Sequence, residues 1–157
     1  MHDQYVPSYS WLPQADRDLI QRALTLLSAS VAGQVFDSPK VIQNYLTLRY
    51  ADLEHEVFGV VWVNAHNRLI AEELLFRGTL TQTAVYPREV VKQALKRNAQ
   101  GALFFHNHPS GCSEPSRADE LLTKALRQAL QLVEVRVLDH IVVSAHGAVS
   151  FAERGLL

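Results

Sequence analysis

The segment ALFFHNHPSGCSEPSRAD, residues 102–119, runs from a short apolar stretch into two histidines one residue apart, bends, and then places a serine and an aspartate three apart. ALFFH has the length and composition of a buried strand. Side chains two residues apart on a strand project to the same side, so His106 and His108 leave it together, with Cα atoms roughly 6.5 Å apart. The Pro/Ser/Gly-rich bend PSGCSEP turns the chain, and Ser116 and Asp119 fall at the start of the helix that follows. A buried strand feeding a helix implies a sheet with helices packed on it.

The flanking sequence fits that frame. Residues 115–133 form an amphipathic helix with Leu121, Leu122, Ala125, Leu126, Ala129, Leu130 and Val133 inward, VRVLDHIVV (135–143) is another strand, and SAHGAVSF (144–151) returns through a His146-Gly147 turn. Upstream, Pro87 opens a helix over 88–100, with Val90, Val91, Ala94 and Leu95 inward and Gly101 as its stop. Its Lys92, Lys96 and Arg97 form a solvated face rather than a nucleic-acid patch. VFGVVWV (57–63), the turn NAHNR (64–68) and LIAEELLFRGTL (69–80) make a hairpin. Before it, a helix from residue 39 to about residue 53, capped by Ser38, buries Val41, Ile42, Tyr45 and Leu48. A first helix over 15–30 lines up Leu19, Ile20, Ala23, Leu24 and Leu27, preceded by an irregular tail and followed by a linker at 33–38. Strands interleaved with helices, some paired by hairpins, predict an α/β fold with a mixed sheet flanked by helices, and an N-terminal helical extension.

The 157 residues suit one domain. A net charge of −1 gives no bulk attraction for nucleic acid or an anionic membrane. Cys112 is the single cysteine, which excludes an internal disulfide and a cysteine-rich metal site. The start of the chain has no basic and apolar signal, and no run approaches a membrane span, so a soluble, cytoplasmic protein is expected.

Two neutral imidazoles and one carboxylate converging after the bend would form a three-ligand set with a position left for water, as in a catalytic zinc site. Such a metal activates its water at neutral pH. Ser-x-x-Asp ahead of an apolar run is also a helix-capping pattern in its own right, Ser116 as cap and Asp119 near the third position, and the two roles are compatible. The letters HNH carry no nuclease signal, since that family spreads its named residues over a longer segment.

His106-x-His108, seven residues, then Ser116-x-x-Asp119 resembles the JAMM motif of the JAB/MPN metalloprotease superfamily, and FRGTL (76–80), YPREVVKQAL (86–95), HNHPSG (106–111), LDHIVV (138–143) and SFAERGLL (150–157) resemble its RadC-type branch. The similarity covers residues 38–157, with 1–37 as a separate tail and helix. It implies a JAB/MPN, cytidine-deaminase-like architecture, Zn²⁺ held by His106, His108 and Asp119, and Ser116 hydrogen-bonding to the metal water or the developing oxyanion. The superfamily's glutamate opens the first sheet strand after a helix, a place Glu56 occupies; Glu54, Glu72 and Glu73 are the alternatives. The implied reaction is hydrolysis of a peptide or isopeptide-linked protein substrate, with Glu56 moving the proton.

Longer RadC-type proteins carry a helix-hairpin-helix region ahead of this domain. Residues 1–37 are too few for it, so this reads as a short form and the inherited DNA-repair label loses support. Cys112 stands where Asp is common in the family and is expected to be a spectator. His140 is either near the site or a satisfied core histidine, His55 and His66 are junction and turn residues, and Arg117 meets a substrate carboxylate or solvent. The competing function is a binding module that docks DNA or a protein of repair, phage defence or conjugation without catalysis. A metal-dependent nuclease fits less well, because a lone His₂Asp set lacks the carboxylate cluster of a two-metal mechanism.

Overall fold

The computed structural model describes residue 9 and residues 11–31, 38–78 and 85–157. The expected tail, linker and last residues of the second strand lie largely outside the described residues. Helices α1 (Gln14–Val31) and α2 (Pro39–Tyr50) precede the hairpin β1 (Val57–Val63) and β2 (Leu69–Arg77). Helix α3 (Pro87–Lys96) leads into β3 (Gly101–Asn107), α4 (Arg117–Gln131) crosses over to β4 (Arg136–Ser144), and β5 (Gly147–Ser150) ends the sheet. The strand order is β2-β1-β3-β4-β5, with β3 and β4 parallel and every other pair antiparallel. The fold is therefore α/β with a mixed sheet, as the sequence predicts.

The central strands β1 and β3 are buried along their whole length, which is why they read as unbroken apolar runs. Their odd-numbered side chains pack with Ile42, Tyr45, Leu46 and Tyr50 of α2. The even-numbered ones, Phe58, Val60, Trp62 and Phe104, pack with Val90 and Ala94 of α3 and Leu126 and Leu130 of α4. His106 shares that second parity, so it faces the α4 side.

The helices bury narrower stripes than their apolar residues suggest. In α3 the buried residues are Val90 and Ala94, and in α4 they are Thr123, Leu126 and Leu130, so Leu95 and Leu121 flank their stripes and remain exposed. Leu19 and Val41 are exposed for the same reason. Helix α3 also ends before Gly101: Asn98 takes the left-handed conformation at φ 50, and Gly101 opens β3 instead. A Cβ at Gly101 would lie 2.6 Å from Val63 Cγ2, so the glycine serves strand packing. Arg97 is not part of a solvated face; it pairs with Glu73 on β2. Among the described residues no helix is long and apolar enough to cross a membrane.

Candidate metal centre

His106 is the penultimate residue of β3, paired with Phe58 of β1 on one side and Val142 of β4 on the other. The ladder runs one residue past the strand, because the His108 N–H donates to the carbonyl of Val143 at 2.8 Å. Both imidazoles are thus held in strand alternation. The chain then turns back through Gly111, whose φ of 85 is left-handed, to reach α4.

Ser116 caps that helix. Its hydroxyl accepts the Asp119 N–H at 3.1 Å, and its own N–H donates to Asp119 Oδ2 at 2.7 Å, a complete capping box. The Ser116 hydroxyl also donates to Oδ2 at 2.6 Å. The box leaves Oδ1 of Asp119 pointing back to the strand end, 3.3 Å from His106 Nε2. Capping and convergence are therefore produced by one side chain.

His106 Nε2 and His108 Nε2 lie 2.9 Å apart, His108 Nε2 is 3.5 Å from Asp119 Oδ2, and one donor atom from each of the three residues falls within 4.8 Å of the others. Donors bonded to one tetrahedral zinc at about 2.0–2.1 Å stand roughly 3.3 Å from each other. The three residues fit such an ion, with small adjustments, and this is the one such cluster among the described residues.

Behind the donors, His108 Nδ1 donates to the carbonyl of Cys112 at 2.8 Å. His106 Nδ1 meets His140 Nε2 at 2.8 Å, and His140 Nδ1 meets Thr123 Oγ1 at 2.6 Å. His140 is fully buried against the rings of Phe58, Phe104 and Phe151. It is both a core residue and a neighbour of the site. Cys112 is exposed and its thiol is free.

Burial resists ionisation of Asp119, but the neighbouring His106 and His108 imidazoles and the Ser116 hydroxyl outweigh it and hold the carboxyl well below the usual carboxylate range. The Asp119 hydrogen bond, opposed by burial and helped by the Cys112 carbonyl and the charge of Glu56, raises the pKa of His108. Burial, with His106 adding to it, pushes His140 well below an ordinary imidazole. A ligating histidine must be neutral, so a raised His108 pKa means a proton competes with the metal from a higher pH than usual. Asp119 stays ionised throughout and adds nothing to that competition. Were zinc held by these three residues, its apparent affinity would fall roughly tenfold per pH unit for each displaced proton once pH drops below the raised His108 value. A competition titration with a chromophoric chelator, stepped from about pH 8 to about pH 5.5, measures this; an affinity flat across that range contradicts the ligand assignment.

Of the four candidate glutamates, Glu56 alone lies beside this cluster. The β1–β3 register ends at the pair Phe58–His106, with Glu56 two residues before Phe58 and His108 two residues after His106. The charge of Glu56 reaches His108. Glu54 is exposed and acts on His55. Glu72 accepts from Tyr45 at 2.7 Å and from Tyr50, and pairs with Arg49 at 3.3 Å, tying β2 to α2. Glu73 accepts from Trp62 Nε1 at 2.8 Å and from Arg97.

Asn107, between the two histidines, carries a role that the sequence did not disclose. Its side chain points to the opposite face, where Oδ1 accepts the Val57 N–H at 2.7 Å and Nδ2 donates to the carbonyl of His55 at 3.0 Å. It thus clamps the residues on either side of Glu56 to the strand that bears His106. Thr123 was also missed. Its signal was a polar residue four positions after Asp119, in line with Leu126 and Leu130 on the buried stripe of α4. His66 lies in the exposed β1–β2 turn and Arg117 is exposed beside Glu120.

The model of the RadC-like JAB domain matches residues 36–156. The chain is 55% identical over 151 residues to a UPF0758 protein of Leptothrix cholodnii, covering 93% of this chain and 68% of that protein. It is 58% identical over 145 residues to a UPF0758 protein of Aromatoleum aromaticum, covering 92% of this chain and 64% of the relative, and 54% identical over 155 residues to one of Methylibium petroleiphilum, covering 96% and 70%. It spans about two thirds of the length of these relatives. The family model covers most of the chain and the sheet order carries the matched residues as one α/β unit, so this chain belongs to the RadC-like JAB domain family.

Proposed function

We propose that this domain hydrolyses amide or isopeptide bonds with a zinc ion held by His106, His108 and Asp119. The observation that carries this reading is the convergence of those three donor groups within 4.8 Å, next to the carboxylate-bearing Glu56. Membership of a JAB family is compatible with metalloprotease chemistry. Zinc in such a set supplies an activated water and polarises the scissile carbonyl.

The protein's own groups then divide the remaining work. Glu56 accepts a proton on its carboxylate and delivers it to the leaving amine. Ser116 is exposed, and its hydroxyl, which donates to Asp119 Oδ2 at 2.6 Å, can turn outward to donate to the developing oxyanion. Asp119 Oδ2 would still hold the Ser116 N–H after that rotation. His106 is buried and His108 is half-buried, so a substrate enters from the side of His108 and Ser116. The substrate class is a peptide or an isopeptide-linked protein. A cytoplasmic location is part of this proposal.

Protein purified without chelator should carry one zinc per chain by elemental analysis. Chelation should abolish cleavage of a peptide and isopeptide library, and restored zinc should recover it. Failure to take up zinc would overturn the proposal. Salt-dependent DNA binding indifferent to chelation, with no cleavage, would favour a docking module instead.

A further inference from the structure

The two histidines are oriented by different devices. His108 donates from Nδ1 to a carbonyl, and a carbonyl can only accept, so its Nε2 is left for the shared point without further help. His106 has no such partner. Its Nδ1 meets Nε2 of His140 at 2.8 Å, and an imidazole nitrogen either donates or accepts.

The direction of that bond is settled one step further on. Thr123 Oγ1 lies 2.6 Å from His140 Nδ1 and 2.7 Å from the main-chain carbonyl of Asp119, one turn back along α4. The hydroxyl has a single hydrogen. Directed at the carbonyl, it leaves the Thr123 oxygen to accept Nδ1–H of His140. His140 has no exposure and is ringed by phenyl groups, so it is the neutral form, with its one N–H at Nδ1 and an acceptor at Nε2. His106 must then donate from Nδ1, which leaves the lone pair of its Nε2 facing Asp119 and His108. The opposite polarity would bring Thr123 Oγ1 and the Asp119 carbonyl oxygen to 2.7 Å with no hydrogen between them, and would set a hydrogen on the donor-facing nitrogen of His106.

We infer that Thr123 and His140 are positioning residues: a one-way hydrogen-bond chain from His106 through His140 and Thr123 to the Asp119 carbonyl locks His106 in the tautomer a metal ligand requires. The consequence for zinc rests on the function proposed above; the tautomer does not. Both ends of the chain are candidate ligand residues, so α4 sets its own carboxylate and the imidazole facing it in one stroke. Groups placed behind metal ligands in this way typically contribute about 10–100-fold to metal affinity.

The test uses nitrogen-15 histidine spectra of the whole chain, metal-free, at about pH 8, where exposed imidazoles are neutral. Wild-type protein and Thr123→Ser should show His106 protonated at Nδ1 and bare at Nε2. Thr123→Val keeps the volume but removes the acceptor for His140 Nδ1–H, so the His106 proton should redistribute toward Nε2. Zinc affinity, read by chelator competition, should fall about 10–100-fold in Thr123→Val and recover in Thr123→Ser. A wild-type His106 protonated at Nε2 overturns the inference even if the variant fails to fold, as does a folded Thr123→Val with wild-type spectra and affinity. A wild-type chain with the expected His106 signature that takes up no zinc would sink the metal reading and uphold the chain.

Discussion

Glu56→Gln is expected to lower amide or isopeptide cleavage by roughly 10²–10⁴-fold while one zinc per chain remains bound. Glutamine keeps the size of the side chain and can still accept a hydrogen bond, but it cannot take up a proton at neutral pH. Glu56 is outside the three-donor cluster, so its neutralisation leaves His106, His108 and Asp119 in place. The backbone on either side stays clamped by Asn107, and the Glu56 carbonyl still accepts the Gly78 N–H at 2.8 Å. Glu73→Gln supplies the control: its partners are Trp62 and Arg97, and it should weaken the ties of β2 to those two residues without touching turnover. Single-turnover assays beside elemental analysis of the same preparations make the comparison. Retained activity in Glu56→Gln would remove this residue from the mechanism, and zinc loss in it would make it a ligand instead.

The sequence disclosed features governed by local periodicity and concealed those that depend on pairing. VFGVVWV and ALFFH are legible as strands because both faces of β1 and β3 are buried, so no polar residue interrupts them. His106 and His108 declare their common side through a period of two, and Ser116 and Asp119 declare the helix start through a spacing of three. The choice among Glu54, Glu56, Glu72 and Glu73 has no local answer: it follows from the register of β1 on β3 and from which aromatic hydroxyls and guanidinium groups lie across β2. Thr123 and Asn107 were obscure for the same reason, since each satisfies a group far away in sequence, His140 in one case and Val57 in the other. The buried stripes of α3 and α4 are narrower than their apolar pattern, because helix periodicity does not say how closely a sheet approaches; Leu95 and Leu121 are left in solvent.

Asp119 serves two functions, and two substitutions should separate them. Asp119→Ala removes both the box and the carboxylate: the metal-free protein should lose about 1 kcal/mol with its helix cap, and zinc affinity should collapse. Asp119→Asn keeps an acceptor for the Ser116 N–H but carries no charge, so it should retain most of the stability and still lose more than the roughly 10–100-fold typical of a missing partner behind a ligand. The pH of the melt matters. Asp119 is depressed in the folded state, so its contribution is present above the unfolded carboxylate range and is lost only as pH falls through its low folded value. His108 is raised, so its share is complete below the ordinary imidazole range and is lost as pH rises through the folded value. Above that value the charge pairing of His108 with Asp119 is gone, and the difference between alanine and asparagine reports the cap. Thermal melts there, paired with chelator competition on the same samples, separate the roles. If Asp119→Asn binds zinc as tightly as the wild type, the carboxylate is only a cap; two histidines by themselves then make a poor zinc site, and the hydrolase reading loses its third ligand.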